Sequence, residues 1–366
     1  DSRRWIHRAR RTNPKGLVLA VGCFPQIDPN GIISLGADGV VGNQEKACIA
    51  GIVEEMQGGE GPVIRVGDVM EAEVPPVLEA TRFRRHTRAF LKIQDGCDAR
   101  CSYCIVPLAR GKSRSIPPAS VFASLKKLKE AGYQEVVLAG IHLGAYGQDL
   151  EPRTTLLELL QRIEAGETIA SSRKICPHLH LPLQSGADEV LGRMRRPYTR
   201  AFFRDLVLDI SAKIPHAAIG VDVMVGFPGE DEAAFWQTHD LIQELPLSYL
   251  HCFPFSPRPE TPAARMPGQV AERAKKERAQ ILRGLSREKR RAFYSRFIDQ
   301  PLNLLIEHRR EKGMLRGISR NYIFCLLEGE DELMGREVQG VLLAVQGERG
   351  IGNLLGFKGS RVPGVE

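Results

Sequence analysis

The stretch Cys97-Asp98-Ala99-Arg100-Cys101-Ser102-Tyr103-Cys104 decides how the rest of this 366-residue chain is read. Three thiols fall within eight residues, spaced C-x3-C-x2-C. A segment this short wraps its sulfurs around one centre. Clustered thiolates are soft ligands that take zinc or an iron–sulfur cluster. A structural zinc site closes with four ligands. No fourth cysteine or paired histidine follows at knuckle spacing, and the next cysteine is Cys176. Three protein ligands on a four-iron cluster would leave one iron open to a substrate or cofactor. A zinc ion borrowing a distant fourth ligand is the competing reading, and three buried core thiols are the bland one.

The bulk composition narrows the class without naming it. Apolar content of 43% and charged content of 26% are those of an ordinary globular protein with room for two or three domains. A net charge of +7 is compatible with a polyanionic partner but too mild to establish one. Eight cysteines without a close, even framework argue against a secreted disulfide scaffold. No apolar run is long enough to span a bilayer and no signal peptide is evident, so no membrane partner is expected and the cytoplasm is the default. The chain opens on Asp1 rather than Met and is expected to be part of a longer protein.

Along the chain, strands and helices alternate. Trp5, Ile6 and Ala9 fit one face of a short basic helix, and residues 16–23 read as a buried strand with Cys23 at its end. A helix is expected near 44–57, and residues 58–80, with several Gly and Pro, read as a linker. Strands follow at 88–94, 135–140, 178–184, 218–225 and 247–253, with helices at about 117–132, 154–165, 199–213 and 231–245 between them. That is the pattern of parallel βα units. A long helix over 269–297 carries dense Lys and Arg, mostly a solvated face, with Lys289 to Arg291 able to meet phosphate. Short strands at 302–307, 322–328 and 336–345 then read as a separate small β-barrel.

The longer string HTRAFLKIQDGCDARCSYCIVPLARGKSRS, residues 86–115, resembles the radical S-adenosylmethionine (SAM) signature in its methylthiotransferase branch. Within that branch the chain is most similar to the MtaB-type enzymes, and the similarity runs over nearly its whole length. The resemblance implies an α/β fold: a partial (β/α)6 radical SAM barrel over residues 86–292. It is flanked by a partial N-terminal methylthiotransferase domain with its linker over 1–80, and by a C-terminal TRAM barrel, an RNA-binding module, over 293–358. It also implies a strand-and-helix stretch near 165–171 that this sequence lacks.

By the same resemblance, Cys97, Cys101 and Cys104 would hold a 4Fe–4S cluster whose open iron takes the amine and carboxylate of SAM. Cys23, within VLAVGCFPQIDP, matches the third ligand of a second, auxiliary 4Fe–4S cluster, the other two ligands lying upstream of Asp1. Tyr103 would approach the adenine of SAM. Gly140 and His142 replace an acidic motif at a strand end. Gln184 and Ser185 would supply polar contacts to SAM, and Asp222, Gly226 and Phe227 would lie near the adenine edge. Each of these also has an ordinary structural reading, as a turn or as a core hydrogen-bonder.

The implied reaction adds a methylthio group to carbon 2 of N6-threonylcarbamoyladenosine in the anticodon loop of tRNA. Electrons would come from a donor such as flavodoxin or ferredoxin, and Arg309, Arg310, Lys312, Arg316 and Arg320 would meet phosphate. The alternatives are methylthiolation of isopentenyladenosine or of a ribosomal protein aspartate and, from another class, a non-catalytic zinc-bound RNA-binding protein.

Overall fold

Apolar runs bounded by Gly and Pro set up three successive units. The structure, a computed structural model, describes residues 2–59, 61–72, 86–164, 172 and 174–355. The first unit holds α1 (Ser2–Thr12), β1 (Leu19–Val21), α2 (Cys23–Ile27), α3 (Pro29–Ser34), β2 (Gly39–Val41), α4 (Ile49–Gly58) and β3 (Val63–Arg65). The three strands pair in parallel in the order β1-β2-β3. Two expectations change here. The segment read as linker contains β3, because Val63 buries its side chain against Val41, Ile52 and Met56. On α1 only Ile6 is buried, whereas Trp5 is 63% exposed and Ala9 is exposed too.

The second unit contains β4 (Ala89–Lys92), β5 (Gln94–Asp95), α5 (Val106–Arg110), β6 (Arg114–Ser115), α6 (Pro118–Glu130), β7 (Val136–Ala139), α7 (Leu156–Glu164) and β8 (His178–Gln184). It continues through α8 (Asp188–Arg193), α9 (Arg200–Lys213), β9 (Ala218–Val225), α10 (Glu232–Glu244), β10 (Tyr249–Pro254) and α11 (Glu272–Ser295). The helices start where the sequence places caps: Thr199 accepts from Phe202 N–H, Asp231 accepts from Ala234 N–H, and Pro118 stands in the first turn of α6. Among the described residues the five long strands form two parallel sheets, β4-β7 and β10-β9-β8. The single strand read over 88–94 is divided, and β5 turns aside to pair antiparallel with β6. Residues 165–171, where the additional strand and helix are implied, lie outside the described residues.

In β8 to β10 the side chains alternate with a clear division of labour. Leu183, Ile219, Val221, Val223, Val225 and Leu250 pack outward against Phe203 and Val207 of α9, Leu241 and Ile242 of α10, and Leu282 and Leu285 of α11. The alternate positions, His178, His180, Asp222, Tyr249 and His251 among them, therefore face the lumen. Gly220 lies in this inner row because a Cβ there would run into the Tyr249 ring.

The third unit is a closed barrel, β11-β12-β13-β15-β14, formed by β11 (Pro301–Glu311), β12 (Met314–Ser319), β13 (Phe324–Leu327), β14 (Glu337–Gln346) and β15 (Arg349–Leu354). β12 and β15 are additions to the three strands legible in the sequence. Helix α11 joins the two barrels: Leu282 and Leu285 sit in the larger core, while Phe293, Tyr294 and the following Phe297 belong to the smaller one. Its charges are less solvated than their density suggests. Lys275 is buried and pairs with Glu272. Lys289 donates to the carbonyls of Gln243 and Leu245, and Arg290 pairs with Glu348, so neither is poised for phosphate.

The small barrel docks on the lumen end of the larger one through an aromatic stack. Tyr322 lies 4.0 Å from the His178 ring, which in turn stacks on Tyr249. Burial pushes His178 down to about 4, with His180, Arg88 and His251 adding to the effect. A histidine lowered in this way favours the folded state fully above its ordinary value near 6.5, and the advantage is lost as pH falls toward 4. Lowering pH from about 7.5 to about 4.5 should cost roughly 2–3 kcal/mol of stability through this residue. The check is urea unfolding at both pH values, with the His178→Gln variant losing markedly less than the wild type.

Candidate active site

The three-thiol loop is held from the middle rather than from its ends. Ser102, fully buried between Cys101 and Tyr103, donates its N–H to Met194 O (3.1 Å) and its hydroxyl to Arg193 O (2.7 Å). Its own carbonyl accepts from Ala263 N–H at 2.8 Å. Cys97 N–H donates to Gly111 O and Cys104 N–H to Cys101 O, both at 3.1 Å. Cys101 Sγ receives Arg196 Nη1–H at 3.3 Å. Arg196 is braced by Tyr198, whose hydroxyl reaches the carbonyls of Pro182 and Leu183 on β8. Cys97 Sγ lies 3.7 Å from His142 Nδ1. Burial raises the Cys97 and Cys104 thiols above their ordinary range.

Among the described residues, the only set of three or more His, Cys, Asp or Glu whose ligand atoms all lie within 4.8 Å of one another is His180, Asp222 and His251. Three thiols on one loop, one of them receiving a guanidinium donor, fit a larger cluster that the protein ligates at three corners.

Cys23 stands at the start of α2, which packs against α5, the helix that begins two residues after Cys104. Its sulfur is reached by Asn43 Nδ2 at 3.7 Å and by the Arg110 guanidinium. Asn43 is buried and anchored to Ala109 O at 2.6 Å, so the thiol faces the side of the triad's own helix.

The other expected positions divide. Tyr103 packs edge-on to Phe227 at 6.4 Å, and Phe227 in turn on Phe255 at 5.4 Å. Phe227 is fully buried and supports Tyr103 from behind. Gly140 abuts Gln94: a Cβ there would lie 3.1 Å from Gln94 Oε1, the atom that accepts His142 N–H at 2.8 Å. Gln184 has left-handed backbone, φ 63°, just after a register shift at Pro182/Gln184, which is local strain of the kind found at functional sites. Ser185 follows β8 directly. Its buried hydroxyl meets Thr238 Oγ1 (3.3 Å) and Ala187 N–H (3.2 Å) as a local cap. Gly226 donates its N–H to buried Glu230, which pairs with Arg278.

Asp222, expected near the adenine edge, falls on β9. It lies mid-strand and accepts from His180 Nε2 at 2.9 Å and His251 Nδ1 at 3.5 Å. Burial raises its carboxyl, but the two imidazole hydrogen bonds outweigh that and hold it well below the usual carboxylate range. Of the five basic residues of the small barrel expected to meet phosphate, three are engaged internally. Arg316 is tucked between Glu307 and the Phe324 ring, Arg310 pairs with Asp331, and Arg320 pairs with Glu337. Arg309 is 56% exposed beside Glu307, and Lys312 is exposed at the β11–β12 turn.

Comparison with known proteins agrees with this geometry. The Radical SAM superfamily profile matches residues 91–242. The chain is 38% identical to the threonylcarbamoyladenosine tRNA methylthiotransferase MtaB of Bacillus subtilis, over 92% of this chain and 81% of that protein. The MtaB of Aquifex aeolicus is 36% identical over 91% and 85%. A tRNA-2-methylthio-N(6)-dimethylallyladenosine synthase of Pelotomaculum thermopropionicum is 32% identical over 91% and 80%. The fold is shared with the radical SAM methyltransferase TsrM of Kitasatospora setae, with TM-score 0.53 and 16% identity over 72% of this chain and 60% of that one. The non-catalytic zinc reading is thereby set aside, and the chain belongs to the MtaB-type branch of the radical SAM methylthiotransferase family.

Proposed function

We propose that this chain adds a methylthio group to carbon 2 of N6-threonylcarbamoyladenosine next to the anticodon of tRNA. The observation that carries the reading is the three-thiol loop, pinned at Ser102 beside the ends of parallel strands, in a chain 38% identical to an enzyme named for that reaction. Cys97, Cys101 and Cys104 would hold a 4Fe–4S cluster. When bound, that cluster and SAM supply a 5′-deoxyadenosyl radical able to take hydrogen from an unactivated carbon.

The chain's own residues do the rest. Arg196 N–H steadies the Cys101 thiolate. Tyr103, backed by Phe227 and Phe255, offers an apolar wall that excludes water beside the loop. Gln94 fixes the His142 backbone next to Cys97. We assign Cys23 to an auxiliary 4Fe–4S cluster, as one of its ligands. The small barrel acts as a TRAM module over about residues 293–358, with Arg309 and Lys312 its best-placed phosphate contacts, since an exposed pair such as Arg309–Glu307 is weak and exchangeable. A flavodoxin or ferredoxin would supply electrons, and the site of action would be the cytoplasm.

Two outcomes are expected. Arg196→Ala should weaken retention of the triad's cluster by about 10-fold or more, read as faster loss of iron to a chelator after anaerobic reconstitution, while Cys101→Ala should hold no stable cluster at the triad and lose that share of the iron. Iron retention equal to wild type in both variants would contradict the assignment. In a strain lacking this gene, mass spectrometry of tRNA nucleosides should show the methylthio form of threonylcarbamoyladenosine gone and its precursor accumulated. Loss of the methylthio form of isopentenyladenosine instead would make the proposed substrate wrong.

A further inference from the structure

We propose that His180, Asp222 and His251 form the recognition site for the polar N6 substituent of the substrate nucleoside. The proposal rests on the reading of the substrate as a threonylcarbamoyladenosine and names the residues that select it.

The three side chains stand on adjacent strands, β8, β9 and β10, all on the inner face. They are 30%, 31% and 53% exposed, so the lumen reaches them. They are also held in place from behind. Tyr249 Oη lies 2.8 Å from His178 Nε2 and 3.2 Å from His180 Nδ1, which orients the His180 ring. Tyr249 is itself buried, with its ring over Gly220 and the Arg290 guanidinium 5.5 Å from its centroid.

A lumen serving only stability fills with Val, Ile and Leu. Here the layer carries a carboxylate and imidazoles instead. An ionised carboxylate at this depth resists any apolar group packed against it, because that group would strip its water and return no hydrogen bond. The dimethylallyl group of the related enzymes' nucleoside is such a group. A threonylcarbamoyl group brings N–H and O–H donors for Asp222 and for the second ring nitrogen of His251, which accepts once Nδ1–H is given to Asp222. Discrimination of this kind is strong, since a site built to hydrogen-bond a substrate rejects the analogue that cannot.

Position agrees with chemistry. The reacting carbon 2 must meet the radical at the C-terminal ends of the strands, where βα barrels place their chemistry. The N6 substituent leaves the ring at a different corner, with N1 between, so it can extend down the lumen. Asp222 lies three residues before Val225, the last residue of β9. At about 3.3 Å per residue this is roughly 10 Å below the rim.

The test uses the anaerobically reconstituted full chain and anticodon stem-loop RNAs carrying either threonylcarbamoyladenosine or dimethylallyladenosine. The quantity read is the ratio of kcat/KM for the two RNAs. Wild type should strongly prefer the first. His251→Ala, at a half-exposed position that tolerates truncation, and the near-isosteric Asp222→Asn should each lower the ratio by about 10- to 100-fold, chiefly through KM on the threonylcarbamoyl RNA. An unchanged ratio in both variants overturns the proposal and leaves the functional reading intact. Wild type that methylthiolates neither RNA, or prefers the dimethylallyl one, overturns the functional reading and the proposal with it.

Discussion

Ser102 fixes the geometry on which the three-thiol loop depends. Its N–H and hydroxyl are satisfied by the carbonyls of Met194 and Arg193 at the end of α8, and its carbonyl by Ala263 N–H beyond β10. A buried polar residue that met no partners would cost free energy. With all three met, it ties a loop that has no regular structure of its own to two distant parts of the barrel. The cysteines on either side of it gain fixed positions without themselves having to be structural. Arg196 and Tyr198 extend the same tie to β8, so the loop and the strand ends form one connected scaffold.

A second constraint runs through the strands. β8, β9 and β10 bury one face against three helices, which leaves the other face free to carry polar groups. That freedom explains how a carboxylate can sit between two imidazoles in mid-barrel without weakening the core on the opposite side. The docked small barrel closes over the same region through Tyr322, so the module expected to hold RNA and the lumen expected to receive a base share an aromatic stack. At the other end, Cys23 and α2 rest on the helix that follows the triad, and the N-terminal sheet thus approaches the same loop from outside.

Much of this was legible in the sequence because the signals were local. The spacing of Cys97, Cys101 and Cys104, the apolar strands and the caps at Thr199 and Asp231 all lie within a few residues of what they specify. The long-range features were not. Nothing adjacent to Ser102 reveals that its hydroxyl meets Arg193, and nothing near Arg196 announces a sulfur 95 residues away. Ser185 and Phe227 are both buried, which nothing beside them in the sequence reveals. One signal was available and missed: His178 and His180 alternate with leucines in β8, as Tyr249 and His251 do in β10, and a period of two in otherwise apolar strands marks a polar inner face.

Cys97, Cys101 and Cys104 would hold an iron–sulfur cluster with one corner open to SAM. Electron paramagnetic resonance of the anaerobically reconstituted, reduced protein, with and without SAM, addresses it most directly. A reduced 4Fe–4S signal that changes shape when SAM is added is expected, with the SAM-responsive part lost when Cys101 is replaced by Ala. A colourless protein carrying stoichiometric zinc, or a cluster signal indifferent to SAM, would contradict it.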